Sequence, residues 1–374
     1  MKVKTRLATI LWTVGLVLLL TGCSCGGGGG DNDSDDDIGG DDDAQSDDDS
    51  ADDDSVDDDA IDDDAADDDW SAMTSGTTAD LSGIWGNSHS DVFAVGWDAD
   101  NYVSAIVHYD GSSWSAMTNG VPPAAELAAV WGSSDTDVFA VGWVPWSGAK
   151  VILHYDGNTW SDMSASGVPP TLELSDVWGS SHSDVFAVGY NPSDGSSVIL
   201  HYDGSAWSAM EGVPDAGLTA VWGTSHSDVF AVGGAVIQHF DGDSWSAMTN
   251  GVPPKSAWYG VWGSSSSDVF ATGSDSHGVP AILRYNGSSW SVMNTSGVKT
   301  DSLRDAWGSS SSDVFILGLT LDFQYVGSIF HYDGSSWSEM TVPDNTGALN
   351  GVWGSSSSDV FAVGNGGTIL HYGP

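Results

Sequence analysis

From Trp70 onward the chain alternates short apolar runs with clusters of Gly, Ser and Asp. Four runs recur in fixed order: Trp-Ser-x-Met, Leu-x-x-Val-Trp-Gly, Asp-Val-Phe-Ala-Val-Gly and Ile-Leu-His-Tyr-Asp-Gly. Each is one strand long, rich in β-branched and aromatic residues and bounded by turn formers, so each predicts a β-strand. No helical run of 10 or more residues appears in this part of the chain. The Trp-Ser tryptophans fall at Trp70, Trp114, Trp160, Trp207, Trp245, Trp290 and Trp337, with spacings of 44, 46, 47, 38, 45 and 47 residues.

A four-stranded sheet that is apolar on both faces cannot be stable alone, but stacking seven of them radially buries both faces of each. Periods of 40 to 50 residues are those of such blades. The expected fold is all-β, a seven-bladed β-propeller of four-stranded antiparallel blades over residues 70–374. Its ends are out of step with the repeat: the chain finishes at His371-Tyr372, before an eighth Trp-Ser, and the repeat region opens on Trp70-Ser71-Ala72-Met73. The N-terminal strand should therefore complete the last blade by pairing with Thr368 to Tyr372 and close the ring.

Trp-Gly, Asp-Val-Phe-Ala-Val-Gly and His-Tyr-Asp-Gly-Ser-Ser-Trp together make the chain resemble the Trp-rich repeat proteins of secreted bacterial β-propeller type. That resemblance implies the fold over 70–374 and no particular activity. The stretch Asp110 to Trp114 is one residue shorter than the Asp-box of sialidase-like propellers, so glycosidase chemistry is not carried over.

Comparing the repeats with one another separates scaffold from variation. From the Trp-Gly tryptophan to the following Asp is always six residues, as in Trp85 to Asp91 or Trp353 to Asp359, and from the third-strand His (Arg284 in blade five) to the next Trp-Ser is again six. From that Asp to the His position the distance instead runs 17, 17, 17, 11, 16, 18 and 12. With alternating strand directions the two fixed turns share one face of the disc. The unequal second-to-third and fourth-to-first connections share the other, which is where binding specificity is usually carried.

Trp97, Tyr102, Trp143, Trp146, Tyr190, Phe323 and Tyr325 are expected in the second-to-third connections on that face, with Lys150, while Lys255 and Lys299 fall in fourth-to-first loops. Blades four and seven have the short connections, which predicts a groove crossing the face between them. Trp258 stands where other blades carry Leu81 or Leu127 and is expected in the core. Its neighbour Tyr259 and the equivalent Arg304 should line the channel mouth.

His108, His154, His201, His239, His331 and His371 recur at one position on separate blades. Zinc needs three or four ligands around one point, so these are expected to make structural hydrogen bonds, and no metal site is assigned. His89, His182 and His226 replace Ser in a fixed turn and are expected to be neutral variation. No Gly-x-Ser-x-Gly elbow, Cys/His pair or phosphate-cradling Gly loop is found, so no catalytic residue is assigned.

The N-terminus changes the setting. Lys2, Lys4 and Arg6 precede an apolar run from Leu7 to Leu20, the pattern of a secretory signal. It ends in Leu20-Thr21-Gly22-Cys23, which resembles the lipobox of bacterial lipoproteins. The resemblance implies a signal peptide at 1–22 and a lipid on Cys23, and Ser24 after the Cys implies the outer membrane or cell surface. Cys25, the only other cysteine, lies in the same stretch, so no disulfide is expected in the propeller.

Residues 23–69 then form a Gly/Asp-rich linker with triplets such as Asp35-Asp36-Asp37 and no cation between 31 and 69. Such a segment cannot offset its chain entropy by burial and is expected to be an extended, disordered tether; the 44 residues from Gly26 to Asp69 reach at most roughly 150 Å if fully stretched. Asp31-Asn32-Asp33-Ser34-Asp35 resembles the start of a calcium loop, but Asp36 replaces its turn Gly. Weak, unspecific Ca2+ association is all that is expected there, and no cofactor.

The formal net charge is -45, from 53 acidic and 8 basic residues. This excludes nucleic acid, whose affinity rests on Lys and Arg. The expectation is a monomeric, envelope-anchored binding propeller that recognises a glycan or protein on its variable face. A polysaccharide-acting hydrolase and an envelope scaffold are the alternatives.

Overall fold

A computed structural model of the chain describes residues 70–164, 168–213, 215–322 and 324–373. The expected signal peptide at 1–22, the expected lipid site at Cys23, the Asp-rich linker with the weak Ca2+ association expected there, and Phe323 lie outside the described residues. Seven four-stranded antiparallel sheets form a ring, as the repeats require. In blade one the strands from the inside outward are Asp80–Ser88, Asp91–Asp98, Val103–Tyr109 and Trp114–Ala116. Blades two to six repeat this order.

Blade seven is composite. Its inner three strands are Leu349–Ser356, Asp359–Gly364 and Ile369–Tyr372, and its outer strand is Ser71–Met73. The register is Ser71 opposite His371, Ala72 opposite Leu370 and Met73 opposite Ile369. The two ends of the repeat region thus close the ring without a covalent link.

Aromatic side chains bind the blades to one another in two ways. The outer-strand Trp is buried in every blade, Trp70 to 3% exposure and Trp114 to 7%. At six of the seven junctions it meets the second-strand Phe of the preceding blade edge-on, as Trp160 does Phe93, Trp207 does Phe139 and, across the closure, Trp114 does Phe361 and Trp70 does Phe315. Such edge-to-face pairs add about 0.5–1.5 kcal/mol to the burial of the rings themselves.

Nearer the axis, the inner-strand Trp of one blade lies over the Trp-Gly glycine of the next. A Cβ on Gly132 would stand 2.7 Å from the Trp85 ring, and one on Gly86 would stand 2.5 Å from the Trp353 ring. The dipeptide Trp-Gly is therefore one interlocking unit: its Trp needs a neighbour without a side chain, and its Gly supplies that space to the blade before. Trp258 is fully buried at its Leu position.

Candidate functional site

The fixed turns are held by side-chain hydrogen bonds that the spacing encodes. The third-strand His donates from Nε2 to Oδ1 of the Asp that opens the second strand, at 2.6 Å for His108 and Asp91 and 2.7 Å for His154 and Asp137. His201, His239, His331 and His371 repeat the pair with Asp184, Asp228, Asp313 and Asp359, and Arg284 substitutes through Nε at 2.6 Å from Asp268. The recurring histidines thus make the local hydrogen bonds expected of them.

The other carboxylate oxygen accepts from a hydroxyl two residues after the Trp: Ser133 at 2.5 Å, Thr224 at 2.5 Å, Ser264 at 2.6 Å, Ser309 at 2.5 Å, and likewise Ser180 and Ser355. Blade one has Asn87 there. Asp91 Oδ2 is correspondingly buried with no hydrogen-bond partner. The third-to-fourth turn is fixed in a similar way: Asp110 accepts from the Ser112 hydroxyl and from the amides of Ser113 and Ser112, which hold its carboxyl down at about 2.

One turn residue departs from expectation. His226, in the fixed turn of blade four, reaches blade three, where its Nδ1 lies 2.7 Å from Asp184 Oδ1, the same oxygen that accepts from His201 Nε2. It is not neutral variation. His89 and His182, at the equivalent turn position, make no such bond.

On the opposite face the aromatic residues separate into groups. Trp97, Trp143 and Tyr190 are not in loops: the second strands run past the Val-Gly of the repeat to Asp98, Val144 and Tyr190. Lys150 is likewise inside the third strand Ala149–Tyr155, opposite Trp143, and is buried. Burial pulls its ammonium below the usual lysine range.

Trp97 is 5% exposed and forms the floor of a cluster whose upper members, Tyr102 at 56% and Trp146 at 62%, stand in solvent. The centroids of Trp97 and Trp146 are 6.0 Å apart, those of Tyr102 and Trp146 5.1 Å, and those of Trp97 and Tyr102 6.2 Å. The cluster thus spans the boundary of blades one and two. Tyr102 adopts a positive φ of 59° at the turn, a conformation rare for a bulky residue.

Beside these aromatics stand acids that the sequence reading did not single out. Asp80, Glu126 and Glu173 open the inner strands of blades one, two and three, directly across from Trp97, Trp143 and Tyr190. The Tyr190 hydroxyl donates to Glu173 Oε2. Burial, with Glu173 and then Asp80 nearby, pushes the Glu126 carboxyl up to about 7. A signal was present: an acid immediately before the repeat Leu occurs only at Asp80-Leu81, Glu126-Leu127 and Glu173-Leu174.

The remaining candidates lie apart from this group. Tyr259 and Arg304 are half-buried on the inner strands Ala257–Ser265 and Ser302–Ser310, and an Arg304 Nη1 donates to Asn350 Oδ1 on the neighbouring inner strand. Near Arg304, Asp305 accepts from the amides of Ala306 and Val352, and Asp176 does the same with Val177 and Val221, so each ties its inner strand to the next blade. Burial raises these carboxyls to about 6 and about 7.

Tyr325 belongs to a long hairpin of blade six, paired with Leu321, and both are exposed. An open cavity of about 560 Å³ at blade seven is lined by Met73 to Thr78, Gly366 and Gly367, with no residue of blade four. It does not form the groove expected between the two short connections.

No family model matches the chain, and no curated protein matches it either. Among solved structures it is similar to "YCF48 bound to D1 peptide", with 15% identity, a TM-score of 0.63, and coverage of 82% of this chain and 97% of that one. It is also similar to YCF48 from Cyanidioschyzon merolae, with 14% identity, a TM-score of 0.58, and coverage of 82% and 99%. The WD40 β-propeller domain of Doa1 matches at 11% identity and a TM-score of 0.60, over 81% of this chain and 95% of that one. At these identities the likeness concerns the fold alone, a β-propeller.

Proposed function

We propose that this propeller is an interaction module that binds a protein segment carrying basic side chains at the variable-face mouth of blades one to three. The observation that carries the proposal is the crowding of Asp80, Glu126 and Glu173 beside the Trp97, Tyr102 and Trp146 cluster. Burial and the neighbouring acids disfavour the charged form of the Glu126 carboxyl, so an incoming Lys or Arg supplies the countercharge that the site lacks. The exposed Tyr102 and Trp146 rings give apolar area and cation-π faces to the same ligand. By fold analogy, a similar propeller, YCF48, is described with a bound peptide.

The partner is proposed to be met at the bacterial cell envelope, with Cys23 lipidated and the Asp-rich linker as spacer. Palmitate labelling that disappears in Cys23→Ala supports this anchor, and labelling that persists overturns it. The exposed Tyr102 and Trp146 also favour a second reading, stacking on a glycan.

An array of peptides varying in Lys and Arg content, run beside a glycan array with the same full-length protein, separates the two readings. Selective capture of basic peptides, weakened by salt, supports the first. Capture of glycans with no preference among peptides supports the second.

A further inference from the structure

We infer that Asp184, His201 and His226 form a binding site for a divalent transition metal at the junction of blades three and four. Among the described residues this is the one group of three metal-ligating side chains whose donor atoms converge, all within 4.8 Å of one another. It lies on the fixed-turn face, away from the aromatic and acidic surface described above, and it does not depend on that surface's function.

The chemistry of the donors selects the ion. Two imidazoles and one carboxylate suit zinc and its neighbours in the first transition row, whereas calcium and magnesium prefer oxygen ligands throughout. Zinc–nitrogen and zinc–oxygen bonds of about 2.0–2.2 Å place tetrahedral ligands roughly 3.3 Å apart. Asp184 Oδ1 is already 2.7 Å from both His201 Nε2 and His226 Nδ1, so small side-chain movements open room for the ion.

Asp184 is buried and held on its other oxygen by Ser180, while the His226 side chain is 57% exposed on its turn. Phe186 and Phe240 flank the His226 ring. Three protein ligands leave a fourth position, open to solvent on the His226 side.

On binding, the metal replaces the two protons shared with Asp184 Oδ1. His201 then carries its proton on Nδ1 and His226 on Nε2, so two neutral imidazoles become ligands by changing tautomer and no redox partner is involved. The bond joins a residue of blade four to two of blade three. The ion is therefore a clamp between neighbouring blades.

The repeats supply their own controls. Ser266, Ser311 and Ser357 occupy the His226 position in blades five to seven, so His226→Ser installs a residue this turn already accepts. His182 stands at the same turn position in blade three without joining an Asp–His pair.

Cobalt(II) titrated into the full-length protein is the direct test, because a four-coordinate site with nitrogen ligands absorbs strongly in the visible. Carboxylates of the Asp-rich segment give only the weak colour of six-coordinate cobalt. The wild type and His182→Ser should show the strong absorption saturating at one equivalent. His226→Ser should lose it and weaken Zn2+ competition at this site by at least roughly 100-fold, since even the outer partners of a metal ligand are worth 10–100-fold each. An absence of the strong absorption in the wild type, or its survival in a folded His226→Ser, overturns the proposal.

Discussion

The two faces of this propeller obey different rules. On one, every turn has a fixed length and a fixed set of bonds, His to Asp and Ser to Asp, repeated from blade to blade. On the other, connection lengths differ and few side chains recur beyond a Val-Pro pair in five of the fourth-to-first loops. On the regular face a specialised position shows as an exception: Asn87 leaves Asp91 short of a bond, and His226 adds a hydrogen bond to Asp184 from the next blade. On the irregular face there is little pattern to depart from, and a site must be recognised from the chemistry of the side chains that meet there.

The comparison breaks first if the regular part does not govern stability. Trp70 is the outer Trp of the composite blade, and Trp70→Ala should cost about 3–5 kcal/mol, as removal of a buried aromatic does. Deleting residues 70–73 should destabilise the whole ring further. Urea unfolding monitored by Trp fluorescence checks both, and an unchanged midpoint would show that the N-terminal strand does not close the ring. At the Trp-Gly interlock, Gly132→Val forces the Trp85 ring aside and should cost about 1–3 kcal/mol. The same substitution at Gly212, where no atom lies within reach of an added Cβ, separates crowding from backbone strain, because Gly212 has a positive φ of 78° and Gly132 does not.

Much of the regular part was legible in the sequence because its contacts repeat at constant spacing. The split repeat at Trp70 and Tyr372 gave away the closure. The recurrence of His in separate blades argued for local bonds, and the Leu register placed Trp258 in the core.

Less was legible where the decisive contact joins two repeats. His226 and Asp184 are 42 residues apart, and nothing local to either indicates that neighbouring turns bring them together. The strands also continue past Gly96 and Gly142, since pairing with Ser104 and Lys150 extends the ladder. Trp97 thereby becomes a buried floor rather than an exposed loop residue, and Tyr102 and Trp146 alone carry the exposed aromatic area of that cluster.

On the irregular face the sign of the pH dependence sharpens the comparison. The Glu126 carboxyl is raised from an ordinary 4.5 to about 7. Its contribution to stability is therefore fully present below about 4.5 and is lost as pH rises through about 7. Glu126→Gln, neutral at every pH, should match the wild type near pH 4 and exceed it at pH 8 by roughly 1–2 kcal/mol, after discounting for partial exposure. Thermal unfolding of both proteins across that range checks it, and an advantage at low pH would contradict the assignment.

The smallest expected effect restores regularity to blade one. Asn87→Ser should give Asp91 Oδ2 its missing donor and stabilise the protein by about 1 kcal/mol. A loss in urea midpoint would mean that Asp91 is satisfied by another route.

The central claim is that binding belongs to the irregular face, at blades one to three. It is tested most directly by titrating the full-length protein with the best basic peptide from the array, in the wild type and in the Tyr102→Ala/Trp146→Ala double variant, with unfolding curves recorded in parallel. The account predicts unchanged unfolding and an affinity lower by at least roughly 30-fold, the scale of an interface hot spot. Equal affinity in a variant that unfolds like the wild type would place the binding surface elsewhere.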